Sequence, residues 1–94
     1  MGAEQDHAET AGLTALAWVA GHENLLDVFM GSTGAGLDDL RERAQDPDFL
    51  ASVLDFILMD DAWVMEFCDA HDMAPEALIQ ARAGLPGGVQ THWT

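Results

Sequence analysis

The fold class predicted from the sequence is all-α: a compact bundle of about six short helices, with two helical hairpins packed around a buried central helix at about residues 47–59. Three observations predict it. Apolar residues recur at three- and four-residue spacing along most of the 94 positions. Glycine and proline cut that pattern into segments of roughly two to four turns. One segment, Asp46 to Met59, carries both a helix start signal and an almost wholly apolar surface.

Taken in order, residues 1–7 carry no periodic pattern and are expected to be a flexible tail. A first helix is expected over about residues 8–20, with Leu13, Leu16, Ala17 and Ala20 at helical spacing. Its alanine-rich surface lets a neighbouring helix come close. Gly21 ends it, and His22-Glu23-Asn24 opens a second helix bearing Leu25, Leu26, Phe29 and Met30. The glycine-rich turn Gly31 to Gly36 stops that helix, and Leu37 to Gln45 forms a shorter third one.

The central helix is the best specified. Asp46 suits the N-cap, where its carboxylate accepts from first-turn amides, and Pro47 suits the first helical position because no N–H is needed there. At about 100° per residue, Phe49, Leu50, Val53, Leu54, Phe56, Ile57 and Leu58 sweep an apolar arc of roughly 200°. Only Ser52, Asp55 and Met59 fill the remaining strip. Such a helix belongs in the middle of a bundle. A fifth helix follows from Asp60 or Asp61 to about His71, and a sixth from Pro75 to Ala83. Leu85-Pro86-Gly87-Gly88 closes a single domain, residues 8–88, and residues 89–94 form a second flexible tail ending in His92-Trp93-Thr94.

A faint internal repeat runs beneath this order at an offset of 38 residues, Glu23 falling on Asp61. Leu25, Leu26, Phe29 and Met30 fall on Trp63, Val64, Phe67 and Cys68, and Ala35, Asp38 and Leu40 on Met73, Glu76 and Leu78. Each copy is a helix with an apolar stripe, a turn and a short helix anchored by a leucine. Two unrelated amphipathic hairpins would align comparably, so the pattern leaves duplication open.

The run Leu-Asp-Asp-Leu-Arg-Glu-Arg-Ala-Gln-Asp-Pro-Asp-Phe-Leu-Ala-Ser-Val-Leu-Asp-Phe-Ile-Leu (Leu37 to Leu58) carries a family resemblance. So do Ala-Leu-Ala-Trp before it, and Phe-Cys, Pro-Glu-Ala-Leu and Ala-Arg-Ala-Gly-Leu-Pro-Gly after it. Together they resemble a family of short, acidic, all-α alphaproteobacterial proteins, the domain of unknown function 3572 (DUF3572). The resemblance covers about residues 8–88, and Asp-Pro-x-Phe-Leu is its most specific part. The family pattern often has proline where Leu37 stands, matching Pro75 in the second half. The resemblance implies a compact bacterial domain and supplies no activity and no catalytic residues.

Composition narrows the function classes. Seventeen Asp and Glu oppose three Arg and no Lys, for a net charge of −14. That charge repels phosphate backbones and anionic lipid, so direct nucleic-acid or membrane-surface binding is not expected. The missing lysine excludes Walker-type and Schiff-base chemistry. About half of the acids fall at helix starts, where each contributes about 0.3–1 kcal/mol against the helix dipole. Hydrophobic content of 49% supports a core rather than a disordered acidic tail. A lone cysteine, the lack of a leader pattern and the lack of an apolar run near 20 residues fit a soluble cytoplasmic protein.

Candidate chemistry is thin. Cys68 and His71 stand one helical turn apart, half of a zinc site, yet no second ligand pair is visible and a buried inert thiol is the better reading. Gly31 to Gly36 lacks the preceding strand and the lysine of a phosphate-cradling loop. Asp60 and Asp61 diverge by about 100° on a helix and cannot chelate one ion well. No catalytic residues, cofactor or metal are therefore expected. Trp63 is expected to cover the core, Trp18 to be either a core wedge or an exposed anchor, and Trp93 to lie beyond the Gly-Gly linker. Trp18 together with Asp55, Glu66 and Asp69 makes the candidate interaction surface.

These readings favour a non-enzymatic protein–protein interaction module, monomeric or weakly homodimeric through Trp18 and the first helix. An acidic nucleic-acid mimic that binds a basic protein is the alternative, and a small-molecule or metal-binding protein using Cys68 and His71 comes third.

Overall fold

The computed structural model describes residues 2–85, and its six helices run in the order the sequence predicts: α1 (Gly2–Ala20), α2 (Glu23–Thr33), α3 (Leu37–Glu42), α4 (Pro47–Leu58), α5 (Asp61–Ala70) and α6 (Pro75–Ala83). No strand occurs among the described residues, and no helix is long and apolar enough to cross a membrane. The predicted C-terminal boundary, the tail 89–94 and Trp93 lie outside the described residues.

Aspartates start three of the helices. The Asp48 N–H donates to Asp46 Oδ1 at 3.0 Å, and the Ala62 N–H donates to Asp60 Oδ1 at 2.8 Å. At α3 the acid lies inside the helix: the Gly36 N–H donates to Asp39 Oδ2 at 2.9 Å. Each bond satisfies an amide that the helix itself leaves without a partner.

The central helix α4 is as expected. Phe49, Leu50, Ala51, Val53, Leu54, Phe56 and Ile57 are buried, while Asp55 and Met59 face out. Burying each large side chain contributes roughly 1.5–3 kcal/mol, so this rod dominates the apolar stabilisation. It is enclosed chiefly by α1, α5 and α6.

The first helix differs from expectation in two ways. It begins at Gly2, six residues before the predicted start, and it buries Ala8, Gly12, Ala15, Leu16 and Val19. Of the predicted stripe only Leu16 is buried; Leu13 is 47% exposed, and Ala17 and Ala20 face solvent. Apolar side chains lie on nearly every side of α1, so hydropathy does not select a face. Close approach selects it. A Cβ built on Gly12 would stand 2.8 Å from Leu50 Cβ, a separation that carbon atoms do not tolerate. The backbone of α1 therefore rests on Leu50 only because residue 12 is glycine.

Two further boundaries shift. The second helix continues past Gly31 to Thr33 and stops where Gly34 turns left-handed (φ 76°), its N–H donating to Met30 O at 2.9 Å. The third helix ends at Glu42 instead of Gln45, closed by the Arg43 N–H donating to Asp39 O at 2.8 Å.

The 38-residue repeat is carried by structure and extends further than the hairpins. Helix starts Glu23 and Leu37 map onto Asp61 and Pro75, and the end of α1 at Ala20 maps onto the end of α4 at Leu58. The only described residues with left-handed backbone, Gly34 and Asp72 (φ 52°), are counterparts. Before each, a side chain returns to the carbonyl one turn back: Thr33 Oγ1 donates to Phe29 O at 2.8 Å, and His71 Nδ1 lies 3.1 Å from Phe67 O. Trp18 meets Phe67 edge-on at 5.3 Å between centroids, and their counterparts Phe56 and Phe29 meet edge-on at 5.2 Å. The contact of Gly12 with Leu50 maps onto itself, so it marks the point about which the two halves exchange. The chain is two three-helix units, α1–α3 and α4–α6, each lending a ring to the other.

Two glycine substitutions separate packing from helix propensity. Gly31 lies inside α2 with nothing within 4 Å of an added Cβ, so Gly31→Ala should stabilise by about 0.5–1 kcal/mol. Gly12→Ala gains the same propensity but overpacks against Leu50, at a cost of about 1–3 kcal/mol. Urea denaturation should therefore show opposite signs for the two variants. Equal stabilisation by both would remove the close approach.

Candidate functional site

The thiol–imidazole pair does not assemble as a reactive site. Cys68 is buried on the inner face of α5, as expected. Burial pushes its thiol above the ordinary value of 9.0, and the carboxylates of Asp69 and Glu76 push in the same direction. The His71 ring lies against Phe67, 4.5 Å between centroids, and its Nδ1 is directed to the Phe67 carbonyl. A carbonyl only accepts, so Nδ1 carries the proton in that bond. Among the described residues no group of three or more His, Cys, Asp or Glu side chains could hold a metal ion.

The four predicted interaction residues divide between two places. Trp18 is half-buried: its ring packs edge-on against Phe67 and, at 5.6 Å, against His22. His22 Nε2 in turn lies 3.8 Å from Glu66 Oε1, so Trp18, His22 and Glu66 meet where α1, α2 and α5 converge. Trp18 is thus a core wedge with one exposed side. Asp69 is exposed further along α5. Asp55 belongs to another contact, where its two oxygens accept from Arg82 Nε at 2.6 Å and from Arg82 Nη2 at 3.1 Å. That bidentate pair ties α4 to α6. Trp63 covers the core as predicted, stacked on Phe56 at 4.7 Å.

A feature missed by sequence reasoning is a half-open groove of ≈ 560 Å³ between α1 and α6. Ala11, Met73, Ala77 and Ala81 line its floor and walls, with His7 and Gln80 among the polar residues. Shifted by 38 residues, those four positions become Phe49, Ala35, Asp39 and Arg43, which line a smaller depression of ≈ 310 Å³ beside α3 and α4. There the Arg43 guanidinium sits 4.8 Å above the Phe49 ring. The smaller depression is narrowed by a phenylalanine and an arginine; the larger has alanines at both positions. The sequence signal was present in the pairs Ala11/Phe49 and Ala81/Arg43, but only once the repeat is extended to α1 and α4.

The family model described as "Protein of unknown function (DUF3572)" matches residues 5–88, nearly the whole chain. No curated protein and no solved structure matches.

The buried thiol gives a clean dependence on pH. The chain has neither tyrosine nor lysine, so Cys68 is the side chain whose ordinary titration lies in mildly alkaline solution. Its raised folded value means its contribution is complete below the unfolded thiol value and is lost as pH rises through the folded one. Unfolding free energy under reducing conditions should fall as pH rises past the ordinary thiol value, and Cys68→Ala should flatten that fall. An identical slope in the variant would rule out the thiol as its source.

Proposed function

The chain belongs to the DUF3572 family, and we propose that it is a non-enzymatic protein–protein interaction module of the bacterial cytoplasm, presenting an acidic surface to a partner that carries basic residues. The observation that carries this reading is the division between core and surface. Among the described residues no polar or charged side chain is buried, so the interior offers apolar packing and no chemistry. The charge lies outside, seventeen acids against three arginines. Two of those arginines already face the chain's own groups, Arg82 on Asp55 and Arg43 on Asp46 and Phe49. A surface of this kind steers a cationic partner over several ångströms and repels anionic ones.

First-turn acids on α2, α3, α4, α5 and α6 account for part of the charge as helix-start stabilisation. Their spread over five helix starts is why mimicry of a phosphate backbone, which needs carboxylates in register, is the weaker reading.

Affinity capture from the native host, without cross-linking, tests the proposal. A partner with a basic surface should be retained at about 0.05 M salt and released near 0.5 M, where the Debye length shrinks to a few ångströms. Recovery of no partner, alongside turnover of a metabolite by the purified protein, would overturn it.

A further inference from the structure

We infer that the groove between α1 and α6 is a docking site for a protein segment that presents an aromatic ring beside an arginine. The inference rests on the interaction-module reading and names the chemistry of its partner. The chain itself supplies the template. In the counterpart position the Phe49 ring from α4 lines and narrows the depression, and Arg43, just past α3, lies over that ring at 4.8 Å. In the groove the same two positions are Ala11 and Ala81, and the space is ≈ 560 Å³ against ≈ 310 Å³. The backbone scaffold that holds a ring and a guanidinium is repeated, while the two side chains are gone.

Charge favours an external supplier with the same pair. Among the described residues no arginine lines the groove, and Arg82, next to Ala81, is directed to Asp55. Glu76 lies one helical turn from the groove residue Gln80, and Asp72 adjoins Met73. A net charge of −14 adds a long-range attraction for a guanidinium-bearing segment. The ring would lie against Ala11, Met73, Ala77 and Ala81, where small side chains leave room for a flat apolar body. The arginine beside it would cover that ring, as Arg43 covers Phe49 in the other unit.

The probe is acetyl-Phe-Arg-amide titrated into the full chain and followed through backbone amide NMR shifts. The shifts should centre on Ala11, Ala77 and Ala81. Replacing the probe's phenylalanine by alanine, or its arginine by glutamate, should weaken binding at least about tenfold, the equivalent of 1.4 kcal/mol. Two variants close the groove: the double substitution Ala11→Phe with Ala81→Arg rebuilds the counterpart pair, and Ala77→Trp blocks the exposed wall without entering the core. Either should lower probe affinity at least about tenfold. Absence of shifts, shifts centred elsewhere, indifference to the ring or charge, or undiminished binding to a folded Ala77→Trp variant would overturn the inference. If Ala77→Trp still captures the salt-sensitive partner, docking at the groove falls while the interaction-module reading stands.

Discussion

The architecture turns on one close contact, the backbone of α1 at Gly12 against the side chain of Leu50 on α4. Helix axes ordinarily stand 8–10 Å apart, the distance being set by the side chains at the crossing. A glycine at the crossing permits the near end of that range. With α1 drawn in, Ala15, Leu16 and Val19 reach the core alongside Val53, Leu54 and Ile57, their counterparts in the second unit. The bundle therefore has a central pair of helices, one carrying Gly12 and Ala15 where the other carries Leu50 and Val53, and both hairpins are arranged about it.

That difference in size is what a fold with an internal structural repeat needs to settle into one arrangement. Two identical surfaces meeting about a point would place the same side chain on both sides of it. Here glycine meets leucine at the exchange point, and the neighbouring pairs Ala15/Val53 and Ala11/Phe49 differ in the same direction. The rings that cross between units, Trp18 on Phe67 and Phe56 on Phe29, are instead kept large on both sides. They give each three-helix unit an anchor in the other, and edge-on aromatic pairs of this kind add about 0.5–1.5 kcal/mol beyond their burial.

The parts legible in the sequence were those written in strong local signals. Asp46 and Pro47 fixed the start of α4, and its apolar arc could lie nowhere but inside. Phe29 and Phe67, Leu40 and Leu78 disclosed the repeat because their side chains stayed alike. The face of α1 was not legible for a physical reason. Leu13 carries more hydropathy than Gly12, yet burial was decided by how closely two backbones can approach, and glycine and alanine contribute to that without registering as apolar weight. The groove escaped for the same reason, since alanines on two separate helices announce nothing until they are set beside Phe49 and Arg43. Asp55 was read as available surface, whereas Arg82, distant in sequence, holds it.

The exchange of Gly12 and Leu50 tests the central crossing most directly. Because that contact maps onto itself, Gly12→Leu with Leu50→Gly places the large residue on α1 and the small one on α4 with the close approach preserved. Equilibrium urea denaturation of both single variants and the double variant gives the coupling between the two positions. The account predicts that each single substitution is strongly destabilising and that the double variant recovers at least about 1 kcal/mol relative to their sum. A double variant whose loss equals that sum would show that the two residues do not meet, and the crossing on which the bundle rests would be wrong.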